Sequence, residues 1–265
     1  MTARSGKKAT PVVRAGPAVT RAMAILRCLS RSPHPVGVNA IARELDIIPS
    51  TCLHILRALA AEGMVAFDPE TKLYTLDVGV LTLARNALSQ DAFARIAQSE
   101  LDDLAGTLSV TAIGVRVIGL KHMVVAAMSR SEAAFRLHVD IGSRFPALIS
   151  ATGRCLAAFG GHSGKEIERG FKLLRWERAP GYAAWKQEVA ATRRSGVGID
   201  KGNYIRGVTI FAAPVMGFDG GMTHALVAIA LSDQLPAARA AAIGSGLKAA
   251  AARVSARLGG ARESA

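Results

Sequence analysis

The sequence predicts an α+β protein with an N-terminal winged helix-turn-helix, a linker helix and a C-terminal unit on a central mixed or antiparallel sheet. Three observations carry this. Asn39 to Tyr74 reads as helix, tight turn, helix and short hairpin. From Asp77 to about Leu108 the apolar period is helical again. Beyond that, strand-like runs adjacent in sequence give way to helix-like runs and then to strands, the order of an α+β unit.

Taken in order, Thr20 is placed to cap a first helix, about Arg21 to Ser30, with Met23, Ile25, Leu26 and Leu29 as its apolar stripe. The segment RSPHPVG breaks that helix. Asn39 is expected to cap the second, which turns Ile41 and Leu45 inward. Asp46 to Pro49 is the turn, and Pro49 suits the first position of the next helix, which runs to Glu62. Gly63 closes it. Strands Val65–Phe67 and Leu73–Leu76 then flank a tight turn and form a wing with Lys72 at its tip.

In the helix from Pro49, residues advance about 100° each, so Ser50, His54 and Arg57 share one side with Thr51 at its edge. Cys52, Ile55, Leu56 and Leu59 share the other. An apolar back anchors such a helix, and a small hydrogen-bonding front suits base edges in a major groove. Ser50, Thr51, His54 and Arg57 are the candidate DNA contacts, with Lys72 reaching a phosphate or serving as a solubilising charge.

The linker helix is expected over 79–92, with a break near Ser89–Asp91, and the second domain over 93–258. Its strands are expected at Thr111–Val117, Met123–Met128, Phe135–Val139, Gly196–Asp200, Val208–Val215 and Ala225–Leu231. Its helices are expected at Thr152–Phe159, Lys165–Leu174, Tyr182–Ser195 and Pro236–Leu258. Residues 1–18 read as a basic arm, either a solvated tail or a phosphate contact, residues 19–78 as the DNA-binding domain, and residues 259–265 as a frayed tail.

Half of the 265 residues are apolar, enough for a core of one large or two smaller domains. The net charge of +13 favours anionic partners, but residues 1–88 contribute only +5 of it, so charge alone does not mark the DNA-binding part. Cys28, Cys52 and Cys155 form no C-x-x-C pair, which points to a reduced, cytoplasmic setting without zinc. No apolar run approaches the ~20 residues of a membrane span. Six dispersed histidines give no metal set, and no cofactor is expected.

Gly160 to Lys165 imitates two enzyme motifs and satisfies neither. A phosphate loop needs one more residue and a Ser/Thr where Glu166 stands, and a nucleophile elbow needs a glycine where Lys165 stands. It reads as a surface turn between helices. Trp176 and Trp185 read as packing residues.

The helix-turn-helix with DPETKLYTL in its wing, the segment IGSRFPALISATGRCLAAF, and the closing FAAPVMGFDGG and ALVAIALS resemble, in that order, the IclR family of bacterial transcription regulators. The resemblance implies a DNA-binding regulator, dimer or dimer of dimers, with a GAF-like domain that senses a small organic acid. Its operator would be near-palindromic double-stranded DNA, as two-fold symmetry requires. It would control a catabolic operon, as a repressor or an activator, with repression favoured. The family's reading helix often begins Pro-Lys-Ser-Thr. Here Ile48-Pro49-Ser50-Thr51 keeps the last two, shifts the proline and lacks the lysine.

The same resemblance places the effector pocket at the start of the helix near Ala151, Thr152 and Gly153. Free N–H groups there favour a carboxylate. It carries over Asp200, which could touch ligand or cap a loop. Leu137 and Phe145 would be apolar walls. Ile210 stands where a cysteine is common, and Ala230 and Ser232 stand where two serines can occur. The lost polar groups favour a bulkier or aromatic acid. Two other functions stay open from the residues: an enzyme acting on a small acid with an N-terminal interaction module, and a ligand-independent structural DNA-binding protein.

Overall fold

The computed structural model describes residues 16–89, 91–130 and 139–260. Most of the basic arm, most of the expected strand Phe135–Val139 with Leu137, and the final residues lie outside them. The chain divides into two compact units, 1–87 and 88–265.

In the first unit, helix α1 spans Pro17–Arg31, followed by strand β1 at Val36–Gly37, helix α2 at Val38–Glu44 and helix α3 at Pro49–Ala61. Strands β2 (Val65–Asp68) and β3 (Leu73–Leu76) form the wing, and helix α4 covers Val78–Ser89. The sheet runs β1-β3-β2, antiparallel throughout. Ile25, Leu29, Ile41, Cys52, Leu56, Val65 and Tyr74 make its core.

Two caps differ from expectation. Gly16 precedes α1 and Pro17 opens it, so Thr20 lies inside the first turn. A proline at the first helical position is pre-organised for the turn, and it outcompetes the threonine. Likewise α2 starts on Val38 from Gly37, one residue before Asn39. At the far end of α3, Gly63 takes φ +66°. Its N–H bonds the Ala60 carbonyl at 3.0 Å and Met64 bonds Leu59 at 2.9 Å, the paired closure of a Schellman motif. The Gly63 carbonyl then accepts from Gly79 N–H at 3.1 Å, so α4 starts against the end of α3. A Cβ on Gly79 would collide with that carbonyl oxygen.

In the second unit, helix α5 spans Ala92–Leu108 from an Asp91 cap. Strands β4 (Thr111–Ile118), β5 (His122–Met128) and β6 (Arg144–Pro146) lead to helices α6 (Ser150–Phe159), α7 (Gly164–Lys172) and α8 (Tyr182–Ser195). Strands β7 (Gly198–Lys201), β8 (Val208–Met216) and β9 (Met222–Leu231) precede helix α9 (Ala237–Gly260). The sheet order is β6-β5-β4-β9-β8-β7 with every pair antiparallel. Strand β6 was not expected: it has three residues and ends on proline. Helix α9 carries through Gly260, past the expected start of the tail at 259.

Helices cover both faces of this sheet. Phe93, Leu101, Phe211, Leu226, Ala228 and Leu247 pack under α5 and α9. Ile113, Val115, Leu156, Trp185, Val227 and Ile229 pack under α6 to α8. Central strands β8 and β9 are buried on both sides, which is why they read as unbroken apolar runs rather than alternating ones. The Gly160–Lys165 segment holds the start of α7: Ser163 and Glu166 bond each other's backbone in a capping box.

Candidate functional site

Helix α3 carries out the division its sequence predicts. Cys52 and Leu56 are buried, while Ser50, His54 and Arg57 are exposed and Thr51 is half-buried. A cleft of about 320 Å³ joins it to the wing, with Arg57 from the helix and Lys72 from the hairpin on its walls beside Phe67 and Tyr74. Lys72 is held at φ +61°. The Asp68 carboxylate accepts from the Thr71 hydroxyl at 2.6 Å and from Glu70 N–H at 2.9 Å, which fixes the turn. The Thr71 hydroxyl, and after it the backbone, hold this carboxyl below its usual range. One surface thus presents two cations among groups of hydrogen-bonding size.

The second site lies between the sheet and α6. Ile113, Val115, Met123, Val139, Phe145, Ile149, Ile205, Ile210, Val227 and Ile229 enclose a cavity of about 50 Å³. Ser150, Thr152 and Tyr204 supply its polar atoms. Ser150 opens α6 at φ +57°, and its buried Oγ has no hydrogen-bond partner. Gly153 is the first residue of α6 whose N–H is taken within the helix, by Ile149 at 2.9 Å. The amides of residues 150–152 precede it and have no intrahelical acceptor. Burial pushes the Tyr204 phenol above its usual range, so it stays a neutral donor.

Arg154 fixes this helix end. Its Nη1 donates to the Ser150 carbonyl at 2.8 Å and to Asp200 Oδ2 at 3.3 Å. Its Nη2 lies 2.6 Å from the Glu188 carboxylate and donates to Asn203 Oδ1 at 3.2 Å. Asp200 Oδ1 accepts from Asn203 N–H at 2.8 Å and Tyr204 N–H at 3.4 Å.

Of the expected pocket residues, Phe145, Thr152 and Ile210 line the cavity together. Ala151 is buried on the same turn without lining it, and Gly153 packs so close to Leu148 that a Cβ would collide with its carbonyl. Asp200 caps a loop and pairs with Arg154, away from the cavity. Ala230 lies on the opposite face of β9, among the side chains under α5 and α9. Ser232 lies just beyond β9 and shares a 2.8 Å hydrogen bond with Thr209. The strand alternates, so Val227 and Ile229 face the cavity instead. Leu137 lies outside the described residues. Sequence reasoning left out Ile113, Val115 and Tyr204, and the period-two pattern of β4 was the signal for the first two. It also passed over Arg154, whose charge reads as surface.

A winged helix-turn-helix joined in one chain to a cavity-bearing α+β unit is the architecture of a ligand-responsive, DNA-binding transcription regulator. Residues 18–69 match the IclR helix-turn-helix domain, and residues 85–256 match the family described as bacterial transcriptional regulator IclR C-terminal. The chain belongs to the IclR family. It is 30% identical over 200 residues to a glycerol operon regulatory protein of Streptomyces griseus, covering 74% of this chain and 77% of that one. An IclR transcriptional regulator from Alicyclobacillus acidocaldarius superposes with a TM-score of 0.82 at 24% identity, over 92% of this chain and 100% of that one. An IclR homolog from Microbacterium hydrocarbonoxydans, solved with 4-hydroxybenzoate, superposes at 0.73 with 17% identity, over 91% and 98%.

Proposed function

We propose that two copies of this chain read a near-palindromic operator through Ser50, Thr51, His54, Arg57 and Lys72, and that a small acid with an aromatic or bulky aliphatic body releases them. Residues 19–78 serve as the reading domain, 79–92 as the linker and 93–258 as the sensor. The observation that carries the ligand reading is Ser150: a buried hydroxyl without a partner, at a helix start, facing an aliphatic cavity. A carboxylate there would accept from Ser150 Oγ and the free amides of α6, and an apolar body would lie against Ile113, Ile210 and Ile229. The 4-hydroxybenzoate bound by the Microbacterium hydrocarbonoxydans homolog supports this chemical class.

The cavity is far smaller than such an acid; at about 50 Å³ it holds one or two waters. Entry therefore requires the wall to move. A ligand that fits only the opened wall binds two states unequally, as a switch requires. Repression is the proposed sign, because occupying an operator excludes polymerase without any further contact. The test combines a melt with a panel of organic and aromatic acids and a gel-shift on DNA upstream of the chain's own gene. An acid that raises the melting temperature and releases the DNA is expected. Specific DNA binding with no acid giving a shift would favour a ligand-independent DNA-binding protein.

A further inference from the structure

The start of α3 breaks two rules at once. Its N-cap is Ile48, which makes no side-chain hydrogen bond and is 69% exposed. Isoleucine belongs to the poorest class of N-cap residues, well below Ser, Thr, Asp or Asn. A β-branched apolar side chain this exposed also gains nothing from burial. Pro49 and Ser50 beside it are exposed too, and no acid stands in the first turn of the helix. A position that gives up local stability without a packing return in its own unit is where a binding role is expected.

We infer that Ile48 is a sequence-reading residue that packs on the 5-methyl group of a thymine in the major groove. This rests on α3 being the base-contacting helix. In a helix-turn-helix the N-terminal residues of that helix approach base edges, and Ile48 stands at its very tip. An apolar side chain can distinguish one group on the major-groove edge, the thymine methyl, because the other groups there are polar. Ser50, two residues along and also exposed, supplies a hydrogen-bonding group near the same helix end. The exposed cation Arg57 stands about two and a half turns further along and leaves the tip uncharged.

The probe is the tightest duplex that the full-length wild-type protein selects from a randomised pool, resynthesised with uracil at each thymine in turn. At one thymine per half-site, loss of the methyl is expected to weaken wild-type binding about fourfold. Ile48→Ala is expected to bind the thymine and uracil duplexes equally, and Ile48→Val to keep the discrimination. Ile48→Ser is expected to melt no lower than wild type while losing it, since serine is the better cap. The inference is overturned if wild type ignores every uracil replacement, if Ile48→Ala still discriminates, or if Ile48→Ser lowers the melting temperature and binds both duplexes worse. Selection of no duplex at all would remove the reading role of α3, and this inference with it.

Discussion

Arg154 and Asp200 meet at 3.3 Å with both side chains only 1% exposed. The contact ties the first turn of α6 to the loop after β7, because Arg154 also holds the Ser150 carbonyl and Asn203. Removing Asp200 leaves Arg154 with Glu188 as its carboxylate partner and costs a buried charged hydrogen bond, about 1.5–3 kcal/mol. Asp200→Ala should therefore lower the urea midpoint of the second unit, read by tryptophan fluorescence. An unchanged midpoint would mean that the pair is not holding the helix end.

Ser150 lends itself to a test with opposed signs. An unsatisfied buried hydroxyl costs about 1–3 kcal/mol. Ser150→Ala keeps the Cβ and removes that cost, so the ligand-free protein should melt higher. Any acid that stabilises wild type should stabilise the variant less. A variant that melts higher and keeps the full ligand shift would remove Ser150 from the proposed site.

Gly79 brings the start of α4 close against the end of α3. A methyl there would strike the Gly63 carbonyl oxygen. Overpacking of this kind costs about 1–3 kcal/mol. Gly79→Ala should lower the melting temperature and weaken DNA binding by displacing the start of α4. Wild-type values for both would show that the junction yields freely.

Lys72 combines a left-handed backbone with a proposed phosphate contact. Lys72→Gly removes a conformational cost of about 1–2 kcal/mol. The wing should become more stable while DNA binding weakens across all sequences, with the salt slope falling by about one. Equal affinity at every salt concentration would leave Lys72 as a solubilising charge.

Burial pushes the Cys155 thiol up from 9.0 to about 12. In the unfolded chain the thiol ionises first, so the unfolded state sheds its proton while the folded state keeps it. The stability Cys155 contributes is fully present below pH 9 and declines as pH rises toward 12. Cys155→Ser, which does not titrate, should show a shallower alkaline loss in urea titrations. Identical slopes would refute the assignment.

The sequence made α3 plain because its period is regular and Gly63 marks its end. It misplaced the cap of α1 because Thr20 looks like a cap, yet Pro17 fixes the turn earlier. On β9 the resemblance pointed to Ala230, which faces α5 and α9, while Val227 and Ile229 line the cavity. An apolar run buried on both sides carries no period to say which residues face the cavity. Arg154 was illegible for another reason: a charge inside an apolar helix reads as solvent-facing until its four partners are seen.

The cavity wall is mostly aliphatic, and that governs how such a sensor can change its chemical vocabulary. A branched hydrocarbon mould sorts guests by contour, and one added or deleted methylene alters preference by roughly 10- to 200-fold. Exchanging Ile for Val or Leu at positions 113, 210 or 229 would therefore retune which molecule is heard. The start of α6, the proposed acid site, would stay as it is. Divergence among related sensors can proceed by such small steps in shape, with the signalling machinery inherited intact.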